Sequence, residues 1–184
     1  MKDRFEAEQY FRSLRLEAYK IAEESVRKNV APDVQLTEIT RAALEQASTW
    51  PSQRKALPNR LTAGWDWRTE VARFRRRPRR VEVAVWHRQT LLCGLALGRT
   101  SNNRVVATIH LLERNPAQVT PIDGMIAPIA VRFLEAYARV LGCREIAVDQ
   151  PFPALVPYYQ SLGFNRLVIK GKRVLRMYQL LTYP

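Results

Sequence analysis

Hydrophobic and polar positions change period along the chain. From Lys2 to about Asn29, Phe5, Tyr10 (or Gln9), Leu14, Ala18, Ile21, Ala22 and Ser25 recur at steps of three and four, with Arg, Lys and Glu between them. That spacing predicts a long amphipathic helix, broken at Pro32-Asp33. A second, shorter helix is predicted from Thr37 to Ser48 with Thr37 as its N-cap, and Trp50-Pro51 through Pro58-Asn59 reads as a loop. The run "GWDWRTEVARFRRRP" predicts a third helix, stopped before Pro78 because the residue ahead of a proline is driven out of the helical region.

From there the period falls to two. Val81, Val83 and Val85 alternate with Glu82, Ala84 and Trp86, the chain turns over 87–90, and an apolar strand follows, which is a hairpin pattern. "TSNN" at 100–103 marks another turn, and "RVVATIHLLER", 104–114, reads as a third strand with β-branched residues at its start. Past a segment that bears Pro, Asp and Gly, "IAVRFLEAYARVLGC" returns to helical spacing through Ile129, Phe133, Tyr137 (or Ala136) and Val140, and stops at Gly142. A short strand "REIAVDQ", a short helix "PALVPYYQSLG" ended by a glycine, and a terminal hairpin turning near 170–172 complete the chain. The strand–helix–strand unit implies two parallel strands joined by a right-handed crossover, and the hairpins imply antiparallel neighbours. The class is therefore α+β, an α/β-type mixed sheet with helices on it. One domain is expected over 1–184, with a helical, basic part over 1–78 and the sheet over 79–184.

Composition narrows the function classes. The 184 residues are 47% hydrophobic and 26% charged, a globular balance with no run of about 18 apolar residues. The first twenty residues lack the apolar core of a secretory signal, so no membrane partner is expected. Cys93 and Cys143 stand alone, so neither a metal site nor a disulfide framework is expected, and the protein reads as cytoplasmic. His87 lies in a predicted turn, where solvent exposure is expected. Charge is the most unusual bulk feature. Of the net +13, +8 falls within residues 51–80. This run is open to two readings: a solvated face, or a surface for an acidic partner, either the phosphates of a cofactor or nucleic acid or another polyanion, the last through Arg73, Arg75, Arg76, Arg77, Arg79 and Arg80. The four tryptophans are expected to pack; Trp65 and Trp67, flanking Asp66 beside this run, alternatively line an acceptor site.

The run Tyr159-Gln160-Ser161-Leu162-Gly163-Phe164, closing a short helix after a strand–helix–strand unit, resembles the signature of the GCN5-related N-acetyltransferase superfamily. "ALVPYYQSLGF", 154–164, is locally similar to the serotonin (arylalkylamine) N-acetyltransferase branch, and the resemblance spans about residues 80–181. It implies an acyl-CoA N-acyltransferase fold with extra N-terminal helices, acetyl-CoA as cofactor, and a small-molecule or macromolecular amine as acceptor. It implies Tyr159 as the acid that protonates the departing thiolate, since a phenol near pKa 10 keeps its proton at neutral pH. The other reading of Tyr159, and the stronger one for Tyr158, is a ring packed on the sheet. His110 on the central strand is the implied base, with Thr108 where the serotonin branch carries a second histidine. Glu113 is a reserve base, expected on the opposite face from His110 in a regular strand and on the same face only if a bulge intervenes.

The backbone of Leu111 and Leu112 is implied as oxyanion donor and partner of the pantetheine arm. The amides of Asp123, Gly124, Met125, Ile126 and Ala127 are implied as the cradle of the pyrophosphate. That turn departs from the family pattern: it holds a single glycine and no arginine, Pro121 and Pro128 lack donors, and Asp123 opposes a phosphate. The alternative to an enzyme is a cofactor-free protein of the same fold that binds nucleic acid through its Arg-rich region.

Overall fold

The computed structural model describes residues 4–55, 64–116 and 120–183. Its elements run α1 (Arg4–Asn29), β1 (Val34–Thr37), α2 (Arg41–Ala47), α3 (Trp50–Lys55), α4 (Trp67–Arg75), β2 (Arg80–His87), β3 (Leu91–Thr100), β4 (Val106–Arg114), α5 (Ile126–Leu141), β5 (Glu145–Asp149), α6 (Val156–Ser161), β6 (Arg166–Lys170) and β7 (Arg173–Leu180), with one 3-10 turn at Pro153–Leu155 ahead of α6. Seven strands form one sheet in the order β1-β2-β3-β4-β5-β7-β6. Only β4 and β5 are parallel; every other pair is antiparallel. The mixed sheet read from the sequence is present.

The sheet is covered on both faces. On one, α1 and α5 pack against Val81, Val83 and Val85 of β2 and Ala107 and Ile109 of β4. On the other, α2, α3 and α4 cover Ala84, Trp86, Leu92, Leu95, Leu97 and Leu111. The period-two alternation of β2 thus separates two cores rather than a core from solvent. Burying each large aliphatic or aromatic side chain contributes about 1.5–3 kcal/mol. Helix α5 ends as its glycine suggests. Gly142 sits at φ 73°, Cys143 N–H bonds the Ala138 carbonyl and Gly142 N–H bonds that of Arg139, closing the helix with a left-handed cap.

The N-terminal part departs from its sequence reading in three places. The buried stripe of α1 is Phe11, Arg15, Ala18, Tyr19, Ala22 and Val26, while Phe5, Tyr10 and Ile21 are exposed. The face is rotated because α1 docks on α5, where Tyr19 stacks on Phe133 with centroids 4.9 Å apart. The segment 34–37 is an edge strand on β2, so 1–78 is not wholly helical, and Thr40 rather than Thr37 caps α2 through its hydroxyl. Trp50–Lys55 is helical where a loop was expected, with Trp50 buried; the rest of that segment, 56–59, lies outside the described residues.

Part of the basic run is spent on contacts within the fold. Arg80 is buried between Glu8 and Glu82, Arg75 donates to the Ile39 carbonyl and Glu82, Arg79 donates to the Asn102 carbonyl, and Arg73 pairs with Glu70. Of the six arginines named for a polyanion surface, Arg75, Arg79 and Arg80 therefore bond to other elements of the fold, while Arg73, Arg76 and Arg77 are exposed.

Candidate active site

The site is built around one irregularity in β4. Pairing of β3 with β4 slips between Leu97/Gly98, so that Leu97 faces Leu111, Gly98 faces Ile109, and His110 is the extra residue of a bulge. Gly98 is what allows it: a Cβ there would sit 1.8 Å from the Thr108 carbonyl oxygen. The bulge resets the alternation. Ile109 packs among α1 and α5, whereas His110 meets Phe74 of α4 edge-on at 6.0 Å and Leu111 joins the α2–α4 core. Glu113, two residues beyond Leu111, takes the Nε1–H of Trp67. His110 and Glu113 therefore share a face, which corrects the expectation for a regular strand.

Beyond the bulge β4 loses a neighbour. Its parallel pairing with β5 runs only from Val106 to Ile109, so residues 110–114 have β3 on one side and a gap on the other. Asn115 N–H bonds the Cys93 carbonyl on the β3 side. Backbone alternation then turns Leu111 and Glu113 toward β3, and leaves the amides of Leu112 and Arg114 facing the gap. Of the two leucines singled out in the sequence, Leu112 is the one whose backbone is open.

The gap widens into a cleft of about 880 Å³. His110, Leu111, Leu112, Glu113, Gly124, Ile126, Ala127 and Tyr159 all line it; Asp123 and Met125 do not, and Met125 points to solvent. At one end lies the start of α5. Asp123 N–H and Met125 N–H are bonded within the turn, while the amides of Gly124, Ile126 and Ala127 have no backbone partner among the described residues. Pro128 falls in the first helical turn, where a missing N–H costs the helix nothing. Two features of this turn were not visible in the sequence. Arg114, the last residue of β4, lines the cleft beside these amides, and its guanidinium pairs with Asp123. The cation absent from the turn thus comes from the strand, and it neutralises the carboxylate.

His110 occupies the middle of the cleft. Its Nδ1 lies 3.3 Å from the Thr108 carbonyl oxygen, which fixes Nδ1 as the donor and Nε2 as the free basic nitrogen. Nε2 is buried without a hydrogen-bond partner, 4.0 Å from Oδ2 of Asp149 at the end of β5. Burial holds the imidazole below its usual pKa of 6.5, reinforced by the cations Arg99 and Arg176 and opposed by Asp149. Asp149 is itself gripped by Arg176, whose Nε and Nη2 lie 2.8 and 2.7 Å from Oδ1. Asp149 and Arg176 sit on different strands in an antiparallel pair, a juxtaposition that no local motif announces.

Glu113 is 5% exposed and held at both ends. Trp67 Nε1 donates at 2.7 Å and Arg54 Nη1 lies 3.1 Å away, the latter as an ion pair rather than an aligned hydrogen bond. Burial raises its pKa despite both partners. The tryptophans flanking Asp66 divide their roles: Trp67 is buried and locks onto Glu113, and Trp65 lines the cleft. Tyr159 is buried with its ring edge-on to Phe164 at 6.0 Å, and desolvation pushes its pKa up to about 12. Tyr158 is more exposed and reaches the Gly124 carbonyl at 3.4 Å, tying α6 to the turn at the start of α5.

No family model matches this chain, and no curated protein matches it by sequence. Solved structures do. A PaiA N-acetyltransferase from Thermoplasma acidophilum in complex with coenzyme A superposes at a TM-score of 0.58 and 11% identity, over 80% of this chain and 99% of that one. An aminoglycoside 6'-N-acetyltransferase complexed with coenzyme A gives 0.57 and 15%, over 81% and 98%. A spermidine N-acetyltransferase from Vibrio cholerae gives 0.55 and 16%, over 81% and 94%. At such identities the likeness establishes architecture: this chain has the fold of the GCN5-related N-acetyltransferases.

Proposed function

We propose that the protein is an N-acetyltransferase that moves an acetyl group from acetyl-CoA to an amine by direct attack. The observation that carries this reading is the cleft between β4 and β5, which a half-buried imidazole, a buried phenol and an open strand edge line together. The relatives in fold named above are acetyltransferases, two of them with coenzyme A bound, which supports the same reading.

The chain offers groups that fit each part of acetyl-CoA. The free amides of Gly124, Ile126 and Ala127 at the N-terminus of a sixteen-residue helix suit a diphosphate, and Arg114 adds a charge. The open edge at Leu112 and Arg114 suits the amides of pantetheine. Acetyl-CoA would supply the acyl group as a thioester. The Leu112 N–H, which faces the gap and is preorganised by the sheet, is the donor assigned to the acyl oxygen. His110 Nε2 takes the proton of the incoming ammonium; Asp149 beside it stabilises the imidazolium that results. Tyr159, held protonated by burial, gives its proton to the leaving sulfur. Glu113 is an anchor in this scheme, spoken for by Trp67 and Arg54. The two buried free thiols, Cys93 and Cys143, fit a protein of the cytoplasm.

The polyanion reading has less behind it: Arg80 is buried between two carboxylates, and Arg75 and Arg79 are partly spent on Ile39, Glu82 and Asn102. Tyr159→Phe tests the main reading. It is expected to lower kcat by about a hundredfold, the low end of general acid catalysis, with the melting temperature unchanged. Unaltered turnover would remove Tyr159 from the chemistry.

A further inference from the structure

The acceptor side of the cleft is unusual in its charge. Two carboxylates line the cleft, Glu113 and Asp149, and each is already neutralised: Glu113 by Arg54 at 3.1 Å, Asp149 by Arg176 at 2.7 Å. Among the described residues three guanidiniums line the same cleft: Arg114, paired with Asp123, Arg73 on α4 and Arg173 at the start of β7. Arg173 is exposed and has no ion-pair partner among the described residues. Arg73 is shared only with Glu70, its neighbour on the same helix, and lies over the Phe74 ring at 5.1 Å. Outside the lining, Arg99 adds to the burial that lowers the pKa of His110.

This field selects among amines. A polyamine or aminoglycoside would bring several ammonium groups to a site whose carboxylates are taken and whose free charges are positive, and like charges in a partly desolvated cleft are costly. An amine that carries its own anion meets the opposite situation. Its nitrogen can approach His110 while the anion pairs with Arg73 and Arg173. Trp65 and the exposed Phe152, both lining the cleft, offer apolar surface to the body of the molecule.

We propose that the acceptor is a small primary amine bearing a carboxylate or phosphate, an amino-acid-like zwitterion, held by Arg73 and Arg173 with its nitrogen directed to His110. This rests on the acetyltransferase reading, and the test separates the two.

Calorimetric titrations compare two pairs that differ only in the anion: L-phenylalanine against phenethylamine, and O-phosphoethanolamine against ethanolamine. Spermidine is the polycation control. Each is added to the CoA-saturated protein and to the free protein. At least one anionic member is expected to bind about tenfold or more tightly than its anion-free partner; the pair that shows it tells carboxylate from phosphate. Arg173→Glu is expected to abolish that preference with CoA affinity intact. Equal binding within both pairs, tighter binding of spermidine, or no millimolar binding by either anionic amine overturns the proposal. So does a loss of CoA affinity in Arg173→Glu, which would assign that cation to the cofactor. Failure of CoA itself to bind strikes the acetyltransferase reading, while anion preference on the free protein still decides this one.

Discussion

Glu113 offers the sharpest separation between a structural and a chemical role. It faces the cleft alongside His110, a position from which a carboxylate could act as a base, yet both its oxygens are occupied. Replacing it with Gln keeps the shape and an acceptor for Trp67 but strands the Arg54 guanidinium, whose side chain is only 8% exposed. Removing one member of a buried ion pair costs about 3–5 kcal/mol, chiefly the penalty of the abandoned charge. Because Trp67 retains a partner, the low end applies, about 3 kcal/mol. For a chain of this length each kcal/mol moves the melting temperature by about 2–4 °C, so Glu113→Gln is expected to melt roughly 6–12 °C lower. Turnover below the melt is expected to change by less than about tenfold. The double variant Arg54→Met/Glu113→Gln removes the stranded charge and is expected to recover most of the loss, read as the coupling energy of a double-mutant cycle. Scanning calorimetry with steady-state kinetics on all three variants decides it. An unchanged melting temperature with kcat/KM down a hundredfold or more would refute the anchor and make Glu113 the base.

Two further predictions follow from the geometry of β4. Only neutral His110 can accept a proton, and burial lowers its pKa, so kcat/KM is expected to fall on the acid side through an apparent pKa below 6.5. Arg99→Gln, which removes a cation that favours the neutral form, should move that limb upward, and His110→Gln should erase it; a wild-type limb above 6.5, insensitive to both changes, contradicts the assignment. Gly98→Ala puts a methyl against the Thr108 carbonyl and cannot keep the bulge. It is expected to cost about 2 kcal/mol or more in chemical denaturation and to lower kcat/KM by displacing His110; wild-type stability would mean the bulge does not depend on that glycine.

The C-terminal half of this fold was legible because its periods are clean. Alternating valines, a glycine after α5 and a glycine turn at 171 each map onto one element. The N-terminal part was harder. Val34–Thr37 is four residues long and is a strand only because β2 has a free edge, and the stripe of α1 was displaced by docking on α5. Within the site, Tyr159 and His110 could be named from pattern and resemblance. The bulge had one visible signal, Gly98 inside an apolar strand, which marks a close backbone approach. The pairings of Arg114 with Asp123, Asp149 with Arg176 and Arg54 with Glu113 join residues from 9 to 59 positions apart in sequence. They arise from strand order and loop closure, so no local pattern contains them. They also reverse two local impressions: Asp123 is not a bare negative charge, and Arg54 belongs to the site rather than to a solvated basic face.

Binding of acetyl-CoA tests the central claim most directly, since every proposed role depends on a thioester lying in the gap beside Leu112. Isothermal titration of acetyl-CoA into the protein is expected to give saturable one-to-one binding, with a dissociation constant on the order of micromolar to tens of micromolar. Free CoA should compete for the same site. Absence of both heat and thermal stabilisation at millimolar acetyl-CoA would contradict the account.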